Sequence, residues 1–305
     1  MSYAKNIESD RGLSFRMFLT GLFLVIMWVV LGAVLVMVGV GIGIVVVIGI
    51  GGMFAQYWFS DRIALFGMSG RIVTEHEQPQ LHAMVDRLCL MADMPKPKVA
   101  ISPTDVPNAF ATGRSPKAAV VCVTQGLMRR LDDEELEAVL AHELSHVAHR
   151  DVAIMTIASS VGMLAGLMTR VALWSSMFTG GDENNSGAVA AELLVMLVSI
   201  LVYAISYLLT MALSRYRELA ADRSGAILIG KPSVLAAALI KITGDMSKIP
   251  QKDLRKTEAF NAFFFTPAIN NKQGASLASL FSTHPSLEKR LAQLNELERQ
   301  LGHSA

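Results

Sequence analysis

The sequence predicts a mostly α-helical membrane protein: four apolar helical segments, with a smaller α+β part carrying a short β-sheet between and after them. Two observations predict it. Long uncharged stretches recur along the chain, so only 17% of the 305 residues are charged and the mean hydropathy is +0.43, against about 25% charged in an ordinary soluble domain. Between these stretches lie polar segments with one amphipathic-helix pattern and short β-branched runs. Intrinsic disorder is excluded by so much apolar surface. With only two cysteines, Cys89 and Cys122, a disulfide scaffold is excluded as well; both stand in apolar surroundings and read as buried free thiols. The 27 Lys and Arg against 26 Asp and Glu leave a net charge of +1, which points to no nucleic-acid partner.

The elements follow in order. Between Arg16 and Asp61 run forty-four residues without a charge. A helix needs about 20 apolar residues to cross the hydrocarbon core, so this stretch holds two spans, about 17–37 and 41–59, with Gly39, Gly41 and Gly43 marking the turn. It is too long for a signal peptide, whose apolar core is about 7–15 residues. Two further segments run from Val152 to Phe178, interrupted by Arg170, and from Ala188 to Leu213, interrupted by Glu192. They are joined by the acidic, polar stretch 180–187 and read as a spanning or membrane-associated hairpin. Lys5, Arg11 and Arg16 precede the first span, Arg62 and Arg71 follow the second, and Arg215, Arg217 and Arg223 follow the fourth, while the connecting turns hold no Lys or Arg. The positive-inside rule therefore places both ends and the polar parts in the cytoplasm, where reduced cysteines belong.

In the first polar part, Gln78–Ala92 reads as an amphipathic helix with Leu81, Met84, Val85 and Leu88 on one face. Lys98–Ser102 and Ala118–Thr124 read as strands, and 108–113 as an edge strand between them. Asp132, Asp133, Glu134 and Glu135 open a helix, carboxylates in its first turn where the dipole favours them. The last part begins on a helix continuous with the fourth apolar segment, passes through a loop-like stretch, 248–283, containing Phe263, Phe264 and Phe265, and ends in a polar helix from Ser286 to about Gln300.

One motif carries chemistry. The helix opened by Asp133 runs into His142-Glu143-Leu144-Ser145-His146. Four residues is close to one helical turn, so both imidazoles project from one face and suit two ligands of a Zn²⁺ ion, with Glu143 beside it to take a proton from a water. A catalytic zinc needs a third protein ligand and an open position. His149 lies seven residues from His142, about 10 Å along the axis, and no glycine breaks the helix to fold it back. Glu218, in Arg217-Glu218-Leu219-Ala220-Ala221-Asp222, is the better candidate: an antiparallel hairpin of the third and fourth apolar segments returns it to the same membrane side. Asp222, one turn on, is placed to accept a hydrogen bond from a ligand histidine. Taken alone, the two carboxylates read equally as a solvated helix face. His76, His82 and His303 stand among polar residues and read as surface histidines.

His142-Glu143-x-x-His146 followed by Glu218-x-x-x-Asp222 resembles the gluzincin pattern of the HtpX-type zinc metallopeptidases, membrane proteins related to the CAAX prenyl endopeptidases. The resemblance covers nearly the whole chain. The two N-terminal spans, Pro107-Asn108-Ala109-Phe110-Ala111-Thr112-Gly113, the zinc helix, the apolar hairpin, the Glu218 helix and Thr283-His284-Pro285-Ser286 with Arg290 come in the family's order. It implies a zincin-like catalytic domain on one Zn²⁺. It implies a metalloendopeptidase of the bacterial inner membrane, active on the cytoplasmic side, degrading misfolded or damaged membrane proteins under stress in cooperation with other membrane proteases. In that frame Asn108, Ala109, Phe110 and Ala111 pair with an extended substrate, and His284 and Arg290 reach the cleft to stabilise the oxyanion. Arg215 and Arg223 flank the ligand helix as membrane-surface anchors or partners of the ligands.

The chain then divides into 1–61 (tail and two transmembrane helices), 62–151 (catalytic part with the zinc helix), 152–213 (the hairpin) and 214–305 (catalytic part with the third ligand and C-terminal helices). Two other classes fit part of the pattern. A site-2-type intramembrane metalloprotease also carries H-E-x-x-H, but inside a span and with an Asp-Gly ligand motif that is missing here. A zinc-binding membrane holdase would keep the ligands and have no need of Glu143.

Overall fold

The computed structural model describes residues 11–37, 42–178, 186–246 and 282–302. The chain enters on α1 (Arg11–Met37) and α2 (Ile42–Trp58), then breaks at Phe59 into the short α3 (Ser60–Gly67). Gly39 and Gly41 of the expected turn, together with Phe263–Phe265 and His303, lie outside the described residues; Gly43 is already within α2. A two-residue strand β1 (Arg71–Ile72) precedes α4 (Pro79–Ala92). The proline at the first position of α4 presets φ and forfeits only an N–H that has no intrahelical partner.

The strands are β2 (Lys98–Ser102), β3 (Ala109–Thr112) and β4 (Val120–Thr124), in the order β1-β2-β4-β3. The last strand is shorter than expected. Pro116–Ala118 forms a single 3-10 turn, because a proline N-terminal to the strand fixes φ and removes a ladder donor. β2 and β4 are parallel and the outer pairs antiparallel, which leaves β3 at the edge, as the segment 108–113 predicted.

After α5 (Gln125–Arg130) comes α6 (Asp133–Ala148). Its start is a capping box: the Asp132 carboxylate accepts from Glu135 N at 2.9 Å, and Glu135 accepts from Asp132 N at 3.1 Å. At its far end Arg150 adopts a left-handed φ of 57°, and the chain restarts as α7 (Asp151–Phe178). α8 (Ser186–Ile229) is one helix of 44 residues, followed by α9 (Pro232–Met246) and α10 (Leu287–Gly302).

Among the described residues three helices are long and apolar enough to cross a membrane, over Phe15–Met37, Asp151–Arg170 and Leu193–Ile229. α2, the fourth apolar segment, has 17 residues; its axis of about 25 Å is at the short end for a span. α1, α7 and α8 pack on one another through Leu24, Leu31, Val161, Leu164 and Val202, with Ala158 and Ala165 letting α7 approach closely. Their outward faces expose Phe18, Phe23, Val29, Leu197 and Leu201, the distribution a lipid solvent favours. The second core lies against the sheet, where Val121, Cys122, Leu140, Leu144, Leu239 and Leu294 bring β4, α6, α9 and α10 together. Burial pushes the Cys89 thiol up to about 11 and the Cys122 thiol up to about 12, so both are protonated at neutral pH.

His82 departs from its expected surface position. It is 8% exposed, and its Nε2 lies 3.1 Å from Val73 O. Its polar neighbours in sequence hid this: on α4, His82 shares the buried face with Leu81, Val85 and Cys89.

Candidate active site

α6 and α8 cross where Gly225 removes the last side chain between them. A Cβ there would fall 2.8 Å from His142 N and 2.9 Å from His142 Cα. The crossing brings the face of α8 that carries Glu218 and Asp222 onto the face of α6 that carries His142 and His146. One ligand atom each from His142, His146 and Glu218 lie within 4.8 Å of one another. The two imidazole Nε2 atoms are 3.1 Å apart, and Glu218 lies 3.7 Å from His142 Nε2 and 3.4 Å from His146 Nε2. His149 caps the end of α6, is exposed, and is not part of this group.

Each histidine turns its other nitrogen to a carboxylate, and each carboxylate is held by a buried arginine. His142 Nδ1 is 2.9 Å from Asp222 Oδ1, and Arg290 clamps Asp222 with Nε to Oδ2 at 2.7 Å and Nη2 to Oδ1 at 2.6 Å. His146 Nδ1 is 2.6 Å from Asp151 Oδ2, and Arg217 Nη2 pairs with Asp151 Oδ1. A histidine that gives Nδ1–H to a carboxylate carries its lone pair on Nε2. Two such lone pairs facing each other beside the buried Glu218 carboxylate form a donor set of two nitrogens and one oxygen. That set suits a cation and leaves a fourth position open.

Asp222 was legible in the sequence; Asp151 and Arg217 were not. Asp151 reads as the charge that opens an apolar span and Arg217 as a cytoplasmic anchor. Only the left-handed turn at Arg150 swings Asp151 back beneath His146.

Glu143 stands between the trio and the sheet edge. Burial pushes its carboxyl up to about 8, opposed by the His146 charge and by a hydrogen bond from the backbone of Ala111. Burial likewise holds the His142 imidazole below its usual range. Phe110 faces Cys122 and Thr112 faces Val120 across β3 and β4, and Thr124 N donates to Asn108 O at 2.9 Å. By the antiparallel alternation, Asn108, Phe110 and Thr112 turn their backbone groups to β4, while Ala109 and Ala111 turn theirs outward. The outward groups meet a cavity of about 410 Å³ whose wall includes His142, Glu143, His146 and Glu218 and, from the first turns of α7 and the last membrane turns of α8, Met155 and Met211.

The C-terminal segment lies along α8. Arg215 Nη1 donates to Ser282 O at 2.8 Å, His284 Nδ1 is 3.1 Å from Glu218 Oε2, and Gln293 Nε2 donates to Leu219 O at 3.0 Å. His284 Nε2 is buried without a hydrogen-bond partner. Arg290 is 2% exposed and lies behind Glu218, its Nη1 3.7 Å from Oε2, with its other nitrogens on Asp222. Arg215 thus ties the C-terminal segment to the ligand helix.

Residues 75–298 match Peptidase family M48. The chain is 61% identical over 250 residues to Protease HtpX homolog 1 of Streptomyces coelicolor, covering 82% of this chain and 81% of that one. It is 51% identical over 301 residues to the Protease HtpX homolog of Moorella thermoacetica, covering 97% and 98%. The crystal structure of S. mikatae Ste24p shares the fold with a TM-score of 0.56 at 17% identity, over 93% of this chain and 67% of that one.

Proposed function

Because the chain belongs to peptidase family M48 and is a membrane metalloprotease, we propose that it is a zinc endopeptidase of the bacterial inner membrane. In this reading it works on the cytoplasmic side and hydrolyses peptide bonds of misfolded or damaged proteins. The observation that carries the reading is the convergence of His142 Nε2, His146 Nε2 and Glu218 beside the carboxylate of Glu143. His142, His146 and Glu218 hold the ion, and two imidazoles with one carboxylate are a donor set of catalytic zinc. When bound, zinc supplies Lewis acidity toward the scissile carbonyl and acidifies a water molecule.

The chain's own groups do the rest. Asp222 and Asp151 fix the tautomer of each ligand histidine, and Arg290 and Arg217 keep those carboxylates ionised and in place. Glu143 takes a proton from the attacking water and delivers it to the leaving amine. Its burial raises its proton affinity, which suits it to hold the proton between the two transfers. Ala109, and Ala111 through its carbonyl, offer outward backbone groups to an extended peptide, a mode of binding that reads the main chain and tolerates most side chains. That tolerance supports unfolded segments as substrates. His284, whose Nδ1 lies 3.1 Å from Glu218 Oε2, is the candidate donor to the oxyanion. The cytoplasmic side is supported by the excess of basic residues at one end of the helices, Lys5, Arg11, Arg16, Arg62, Arg71, Arg215, Arg217 and Arg223, against Arg170 toward the other.

The test starts from protein purified in detergent with a chelator. Zinc is then added, and cleavage of an unfolded protein is followed for the wild type and for Glu143→Gln. Wild type cleaves only with zinc, and Glu143→Gln binds zinc but does not cleave. Cleavage by Glu143→Gln at the wild-type rate refutes the mechanism.

A further inference from the structure

The face of α8 that carries Glu218 does not end at the ligand. Ser214, Met211 and Thr210 precede it at helical spacing and, with Glu218, stand in the wall of the 410 Å³ cavity. α7 presents a matching stripe: after Asp151 and Val152 come Met155, Thr156 and Ser159, again in the wall. Ser159 lies eight residues from Asp151, and Thr210 eight residues from Glu218, about 12 Å along each helix axis. Both stripes fall within segments long and apolar enough to cross a membrane. The cavity therefore extends from the ligands into the space between the two helices of the hairpin.

Chemistry decides what fits there. The carboxylates and the guanidinium of the wall, from Glu143, Asp151, Arg217 and Glu218, all stand at its ligand end, and among the described residues no charged side chain lines the lower part. Three hydroxyls of that lower part are spent on main chain: Thr156 donates to Val152 O at 2.7 Å, Ser159 to Thr156 O at 3.2 Å and Thr210 to Ser206 O at 2.8 Å. Their carbon atoms and the two flexible thioethers of Met155 and Met211 remain to meet an occupant. A charged side chain entering would lose its water without gaining a partner. Size excludes a larger occupant. A helix about 10 Å wide and 12 Å long fills about 900 Å³, over twice the cavity, so no intact membrane helix enters.

We propose that this lower part is the side-chain pocket that sets cleavage preference, taking one large apolar residue (Leu, Met or Phe) of the peptide within two residues of the scissile bond. The inference rests on the peptidase reading and adds a side-chain contact to it: the β3 edge reads main chain, whereas the pocket reads one residue. Ala109 and Ala111 line the same cavity, so a peptide paired with β3 passes over its mouth. Successive side chains of an extended peptide point to opposite faces. One position is therefore selected and its immediate neighbours are not.

The test exchanges volume between pocket and peptide. Cleavage sites in an unfolded protein are mapped by mass spectrometry with the zinc-loaded wild type in detergent. A quenched fluorescent peptide of about ten residues spanning one site is then varied at each of the two positions on either side of the scissile bond, carrying Ala, Leu, Phe or Lys in turn. At one position Leu and Phe raise kcat/KM about tenfold or more over Ala, and Lys falls below Ala. Ser159→Leu fills the pocket: it lowers the Leu and Phe peptides about tenfold and leaves the Ala peptide within about twofold, with one zinc retained per chain. If Ser159→Leu fails to fold or to hold zinc, Met211→Ala, which widens the pocket, takes its place. It shifts the preference the other way, raising Phe over Leu about tenfold relative to the wild type.

The proposal is overturned if none of the varied positions prefers a large apolar residue, or if all of them prefer it equally, which marks partition of the peptide into detergent. It is also overturned if the substitution leaves the profile unchanged or lowers every peptide, the Ala peptide included, by one factor. Failure of the zinc-loaded wild type to cleave any unfolded protein refutes the peptidase reading itself, a separate outcome.

Discussion

Gly225→Ala adds one methyl group where two helix backbones touch. The new Cβ lies 2.8 Å from His142 N, against ordinary contact beginning at 3.4 Å. The obstructing atoms are main chain and cannot rotate aside, so α8 retreats from α6 by about 0.6 Å, at a cost of about 1–3 kcal/mol for overpacking. Glu218 and Asp222 sit on the retreating helix and His142 on the other. The displacement therefore passes into the 2.9 Å contact of Asp222 with His142 and the 3.7 Å separation of Glu218 from His142. Metal sites hold their ligand distances to about 0.2 Å, so zinc affinity falls, by about 10–100-fold if the effect equals loss of an outer-shell hydrogen bond. The assay is competition for zinc with a chromophoric chelator in detergent, with helix content followed by circular dichroism. Gly244→Ala, on α9 with nothing within 4 Å of its Cβ, is the control and binds zinc as the wild type does. Wild-type zinc affinity in Gly225→Ala refutes the argument that this contact sets the ligand geometry.

Other substitutions separate the parts of the site. Asp151→Asn keeps shape but weakens the acceptor for His146 Nδ1; zinc affinity measured by the same competition drops about 10–100-fold, and Asp222→Asn behaves alike. Ala109→Pro removes one outward N–H from β3 while sparing the ladder to β4, so KM for an unfolded substrate rises several-fold with zinc stoichiometry unchanged. Asp132→Ala deletes the cap of α6 and lowers stability by about 0.5–2 kcal/mol in denaturant unfolding, with KM unaffected. Cys89 and Cys122, buried and protonated at neutral pH, resist a thiol-alkylating reagent in the folded protein and react once it is unfolded in denaturant.

The sequence disclosed what short-range spacing encodes. The pair His142 and His146 with Glu143, the capped start of α6, β2 and the edge position of β3 follow from local periodicity and composition. Glu218 needed one topological step, the return of an antiparallel hairpin. Asp151 and Arg217 stayed hidden because their roles depend on a left-handed turn at Arg150, a non-glycine residue that gives no signal of one. The available clue was that two opposite charges, Asp151 at the start of one apolar segment and Arg217 just past the end of the next, meet when those segments pair antiparallel. Gly225 was invisible for a related reason: a glycine inside a helix declares a close approach only once the helix it approaches is known. His82 was misjudged on its polar neighbours in sequence, although its spacing to Val85 and Cys89 places it on the apolar face.

The unbroken course of α8 makes the membrane part of the metal chemistry in a mechanical sense. Glu218 lies five residues beyond Leu213, the last position at which α8 is buried in the helix bundle, about 7.5 Å along one rigid rod. A tilt of one degree about that point moves Glu218 by about 0.1 Å, while His142 and His146 stay with α6. Bilayer thickness and lateral packing, which set helix tilt, therefore act on the third ligand through a lever arm.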